Sequence, residues 1–122
     1  MTTWNQVVQA GRTLPGVEES IWYRTPALKV AGKGFARLRT EAEGKLVLMC
    51  SLAEKAALLE SNEPPFSTTS HYDGYGAILV DLDLVDPGQL LELLTDAWRL
   101  KAPARLRAQL DADLAAPPDG TP

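Results

Sequence analysis

From Val17 to Cys50 the apolar residues recur with a period of two, and the runs are separated only by short turn signals. A parallel crossover needs a dozen or more residues between strands, so neighbouring strands here must pair antiparallel. Val17, Glu19, Ile21 and Tyr23 alternate with Glu18, Ser20, Trp22 and Arg24. Thr25-Pro26 interrupts the run. Proline has no N–H for a ladder, so it marks an edge, a bulge or a turn between two short strands. Ala27 to Val30 resumes the extended pattern, and Gly32-Lys33-Gly34 reads as a turn. From Phe35 to Thr40 the alternation puts Phe35, Arg37 and Arg39 on one face and Ala36 and Leu38 on the other. Glu41-Ala42-Glu43-Gly44 reads as a hairpin loop, and Lys45 to Cys50, the most apolar run, as a central return strand.

Helical signals bracket this sheet. Thr3 and Gln6 fit a capping box ahead of Trp4, Val7 and Val8, which predicts a helix from Trp4 to about Thr13 before Leu14-Pro15-Gly16. Ser51 and Glu54 fit a second box, opening a short helix with Leu52, Ala56 and Leu59 at core spacing. After an irregular stretch from Asn62 to Gly76, Ala77 to Leu82 reads as a further strand. Asp86 as N-cap and Pro87 at the first turn start a helix whose stripe is Leu90, Leu91, Leu94, Ala97 and Trp98. Ala102-Pro103 breaks it, and a last helix runs from Pro103 to about Leu114. The predicted fold is α+β: a two-layer sandwich with an antiparallel sheet of about five strands and helices packed on one face. Residues 1–115 are expected to form one domain and 116–122 a disordered tail, since that tail offers Pro, Gly and Asp but nothing to bury.

Composition excludes several classes of chemistry. One cysteine, Cys50, rules out an intramolecular disulfide, and one histidine, His71, leaves little room for a triad or a zinc site. The chain starts without a basic segment followed by an apolar one, and no apolar run approaches the length of a membrane helix. A cytoplasmic location without a membrane partner is therefore expected. The net charge is −4, yet its distribution is uneven. Between Ser20 and Thr40 lie Arg24, Lys29, Lys33, Arg37 and Arg39 without an acidic residue, while Asp81 to Asp96 is acidic without a basic one.

Several stretches together resemble the MmcQ/YjbR family of small bacterial proteins. They are Trp4 with Val7, Leu14-Pro15-Gly16-Val17-Glu18-Glu19, Trp22 with Thr25-Pro26-Ala27, and Gly32-Lys33 with Phe35-Ala36-Arg37-Leu38. His71-Tyr72 with Gly74-Tyr75-Gly76, and Ala97-Trp98-Arg99 with Ala102-Pro103, complete the set. The resemblance implies a two-layer sandwich like that of frataxin-type (CyaY-like) proteins and a proposed nucleic-acid-binding role. It brings no catalytic residue with it.

The candidate sites follow from these patterns. Arg24, Lys29, Lys33, Arg37 and Arg39, with Trp22 and Tyr23 nearby, could meet phosphates and bases, or could form a solvated face paired with Glu41, Glu43 or the acidic strand. Phe66, His71, Tyr72 and Tyr75 in the irregular stretch form an alternative surface for a protein partner. Asp81, Asp83 and Asp86 are the residues a frataxin-like metal binder would use, although two carboxylates on one strand face bind weakly. Cys50 reads as a small buried hydrophobe, or as a thiol activated by the helix that follows it. The expectation is a binding domain and not an enzyme, with no cofactor and no metal, whose partner is DNA held weakly and salt-dependently, or a protein.

Overall fold

The computed structural model describes residues 2–40, 44–69, 72 and 74–115. The expected loop residues Glu41, Ala42 and Glu43, the residue His71 and the 116–122 tail lie outside the described residues. The elements run α1 (Trp4–Gly11), β1 (Val17–Trp22), β2 (Thr25–Val30), β3 (Lys33–Thr40), β4 (Lys45–Met49), α2 (Leu52–Glu60), β5 (Phe66–Ser67), β6 (Ala77–Asp81), α3 (Pro87–Lys101) and α4 (Ala104–Ala115). The fold is α+β, with one open sheet of six strands in the order β1-β2-β3-β4-β6-β5 and every neighbouring pair antiparallel. The strand beyond the expected five is β5, a two-residue strand paired with β6, too short to leave an alternating pattern. No helix among the described residues is long and apolar enough to cross a membrane.

Two tight hairpins open the sheet. Tyr23 and Arg24 join Trp22 to Thr25 with φ of 52° and 63°, and Ala31 and Gly32 join Val30 to Lys33 with φ of 50° and 78°. Positive φ at both central residues is the type I′ geometry, whose twist matches that of the flanking strands. The second turn is thus Ala31-Gly32, one position earlier than Gly32-Lys33-Gly34 suggested, and Lys33 and Gly34 belong to β3. The β2–β3 ladder runs from Val30 and Lys33 to Ala27 and Arg37, and stops short of Pro26, which has no N–H to donate.

A bulge changes the face of one key side chain. The register slips between Leu28 and Lys29, so Phe35 and Ala36 together occupy the space of one residue and both side chains are fully buried. Phe35 therefore joins the core and does not share a face with Arg37, contrary to strict alternation. The core face carries Leu28, Val30, Phe35, Ala36, Leu38, Leu46, Leu48, Ile78 and Val80. Against it pack Val7 and Val8 of α1, Leu106 and Leu110 of α4, and Leu90, Leu93, Leu94, Ala97 and Trp98 of α3. Leu93 replaces the expected Leu91, which is exposed. Trp98 is fully buried, and its indole N–H donates to the Pro15 carbonyl at 3.0 Å, joining α3 to the turn before β1.

The caps fall where the sequence places them. Thr3 Oγ1 accepts from the Gln6 N–H at 3.2 Å while the Thr3 N–H donates to Gln6 Oε1 at 2.8 Å. Ser51 Oγ accepts from the Glu54 N–H, and Asp86 from the Gln89 N–H, both at 3.1 Å. In α2 the buried side chain is Lys55; Leu52 and Ala56 are exposed, and Leu58 and Leu59 touch the core only in part.

Candidate functional site

The face of the sheet away from α1, α3 and α4 holds the site. Directly opposed residues of an antiparallel pair share a face. Arg37 stands opposite Ala27 on β2 and Val47 on β4, and Val47 stands opposite Leu79 on β6. Val47, Ala77 and Leu79 form a small buried cluster of their own, with Met49 and Tyr72 packed on it. Val47, Met49 and Ala77 are the floor of a cleft of about 970 Å³, which the hairpin tip Trp22-Tyr23 bounds on one side and Tyr72, Tyr75 and Gly76 on the other. Lys33 and Gly34 at the start of β3, Cys50 after β4, and Leu100 and Lys101 at the end of α3 close one end.

Each wall has a local cause. On the hairpin side, Trp22 and Tyr23 stack with ring centroids 5.5 Å apart. The Trp22 ring lies over Gly34, where a Cβ would fall 2.5 Å from Cε3, so only glycine at position 34 admits the ring. The Arg37 guanidinium sits 5.2 Å from the Tyr23 centroid, within cation–π range. It donates to Thr25 Oγ1 at 3.3 Å and to Tyr72 Oη at 2.5 Å, so it bridges the two walls. On the other side, the Lys55 ammonium reaches out of α2 and donates to the carbonyls of Tyr72 at 2.5 Å and Tyr75 at 3.0 Å. Gly76 lets the segment come down onto the sheet. Its carbonyl accepts from the Cys50 N–H at 3.0 Å, and a Cβ there would lie 2.6 Å from the Cys50 carbonyl oxygen.

The electrostatics of the cleft are one-sided. Lys33, Arg37 and Lys101 line it, and no carboxylate does so among the described residues. The ion pairs among the described residues lie elsewhere: Arg12 with Glu19, and Arg99 with Asp111. Two rings stand open to solvent, Tyr23 at 74% exposure and Tyr75 at 67%. Burial pushes the Cys50 thiol up to about 11, helped by the Glu54 charge and opposed by Lys55. At neutral pH it is a protonated thiol, so the activation by the following helix is not realised.

The sequence candidates divide accordingly. Lys33 and Arg37 belong to the cleft, and exposed Arg24 neighbours Tyr23 at the hairpin tip. Lys29 faces the same side of the sheet but stands directly opposite Glu18, and Arg39 is half-buried at a second register shift between Leu38 and Thr40. Tyr72 and Tyr75 line the cleft, whereas Phe66 is 7% exposed and packs in the core, so its ring is not offered to a partner. Asp81 and Asp86 are engaged locally, accepting from the Asp83 and Gln89 N–H groups. No three His, Cys, Asp or Glu side chains among the described residues are placed to hold a metal ion. Sequence reasoning missed Lys55 and the floor of Val47, Met49 and Ala77, because both depend on what the chain brings over the sheet.

A family model described as YjbR matches residues 12–100, about three-quarters of the chain. The chain belongs to the YjbR family. Of the residues lining the cleft, Lys101 alone falls outside the matched span of the YjbR domain. Uncharacterised proteins of Mycobacterium bovis and Mycobacterium tuberculosis are each 29% identical over 121 residues, covering 87% of this chain and 93% of theirs. The crystal structure of a Deinococcus radiodurans protein of domain family DUF419 superposes with a TM-score of 0.71 at 21% identity, covering 91% of this chain and 89% of that one. That likeness shows a shared fold. The residues by which the sequence resembles the family include Trp22, Thr25, Lys33, Arg37, Tyr72, Tyr75 and Gly76, and all but Thr25 line the cleft, with Thr25 bonded to Arg37.

Proposed function

We propose that this YjbR domain is a binding module for nucleic acid, and that the cleft, not the whole basic strand face, is the binding surface. The observation that carries the reading is the lining: three cations, each without an ion pair among the described residues, set among four aromatic rings in a chain of net charge −4. A cation with no carboxylate partner among the described residues keeps more of its attraction for phosphate than one held in an ion pair. Exposed rings beside them supply stacking surface. A protein partner on the 66–75 stretch finds less support, because Phe66 is in the core and Tyr72 and Tyr75 belong to this same cleft. The frataxin-like metal alternative has no ligand set among the described residues.

Fluorescence anisotropy with a labelled oligonucleotide across a salt series tests the reading. Three phosphate contacts give a log K versus log salt slope of about −2 for a single strand. Arg37→Gln should weaken binding and make that slope shallower by roughly 0.7. Absence of binding at low salt, or binding indifferent to salt, would sink the proposal.

A further inference from the structure

The ligand class can be narrowed, resting on the nucleic-acid reading just given. We infer that the cleft takes an unpaired nucleotide unit, its base stacked on an open ring and its phosphate held by Lys33 or Lys101, and therefore binds single strands in preference to duplex.

The geometry separates the two forms of nucleic acid. A duplex hides its base faces inside the stack and presents phosphates and groove edges, which proteins read with a protruding helix or ribbon. Here the cations lie within a depression, between the Trp22-Tyr23 hairpin tip and Tyr72, Tyr75 and Gly76. The floor beneath is apolar, made of Val47, Met49 and Ala77, and a paired base cannot leave its stack to reach it. The open rings point the same way. Tyr75 makes no side-chain bond or ring contact among the described residues and keeps 67% of its surface in solvent. A ring this exposed offers a face to stack upon, and each stacked base adds affinity with little regard to sequence.

Lys33 and Lys101 complete the unit. Neither makes an ion pair among the described residues, and they stand at the end of the cleft where the floor gives way to Gly34 and Leu100. An apolar base over the floor and a phosphate at this end match that division. The same chemistry belongs to a free nucleotide and to a unit within a strand, so the experiment must tell them apart.

The test titrates the full chain with a fluorescein-labelled single strand of about twelve nucleotides, a length within the usual range of single-strand site sizes, and with the same sequence as duplex. Tryptophan emission is read in parallel, because of the three tryptophans only Trp22 lines the cleft, while Trp4 packs against the core and Trp98 is fully buried. Support would be single-strand affinity at least ten-fold above duplex, quenching of tryptophan emission that Trp22→Phe abolishes, and roughly ten-fold weaker binding by Tyr75→Ala, the loss of one stacked base. Equal or tighter duplex binding overturns this inference and leaves nucleic-acid binding standing. Displacement of the strand by an equal concentration of mononucleotide upholds the stacked unit but overturns the polymer. Failure of both nucleic acids to bind at low salt overturns both readings. Tyr75→Ala removes an exposed side chain without a bonded partner among the described residues, so its circular dichroism should match the parent.

Discussion

At the scale of the residue, a lysine with 5% exposure needs a partner, because an ammonium leaves water only at a cost of several kcal/mol. Lys55 finds two, the carbonyls of Tyr72 and Tyr75. Each carbonyl already accepts a backbone N–H, from Tyr75 and Ala77 respectively, so neither is left unpaired when the lysine goes. Lys55→Met should therefore cost little in global stability, about 1 kcal/mol or less by urea unfolding, since a buried charge is also removed. Its effect should appear locally, as faster amide exchange at Tyr72 and Tyr75 and as weaker oligonucleotide binding, while the core amides of β4 keep their protection. A uniform rise in exchange across the sheet would show that Lys55 supports the whole fold and not this wall.

At the scale of the element, the β1–β2 hairpin carries an unusual sequence for its turn. Type I′ geometry favours an asparagine followed by a glycine, because L side chains at positive φ clash with their own backbone at about 1 kcal/mol each. Tyr23 and Arg24 hold it instead. The double substitution Tyr23→Asn with Arg24→Gly should stabilise the domain by about 1 kcal/mol in chemical denaturation and weaken nucleic-acid binding at the same time. Unchanged or lower stability would mean that the Trp22 stack and the Arg37–Tyr23 contact offset the backbone strain. This hairpin also marks how far sequence reading reaches. Its strands were legible, because alternation is local, and so were the caps at Thr3, Ser51 and Asp86, whose partners lie three residues away. The bulge that turns Phe35 inward was not, because it is a register slip against Leu28 on another strand. Nor was the inward face of α2, since its buried residue is a lysine satisfied by a segment far along the chain. Of the site, the cations Lys33 and Arg37 and the rings Tyr72 and Tyr75 were legible as residue types. Their meeting was not, because it depends on Gly34 admitting the Trp22 ring and Gly76 lying against the Cys50 carbonyl.

At the scale of the whole molecule, two lysines, Lys33 and Lys45, stand at opposite ends of the sheet. Lys33, Gly34, Cys50 and Gly76 share one end of the sheet, and Lys33 lines the cleft there. Lys45 pairs in register with Asp81 at the far end of β4 and β6, where the acidic segment from Asp81 to Asp96 begins. Two single substitutions separate position from net charge. Lys33→Glu and Lys45→Glu each take the net charge from −4 to −6, so any long-range repulsion of a polyanion grows by the same increment in both. At about 0.15 M salt the screening length is about 8 Å, and only charges close to the bound strand still count. Lys33→Glu should then cut oligonucleotide affinity by ten-fold or more, with the salt slope reduced by about 0.7 for the lost phosphate contact. Lys45→Glu should change affinity less than two-fold at that salt, and differ from the parent mainly below about 0.02 M, where screening weakens. Equal losses for the two variants at 0.15 M would assign the binding to net charge alone and leave the cleft no part in it.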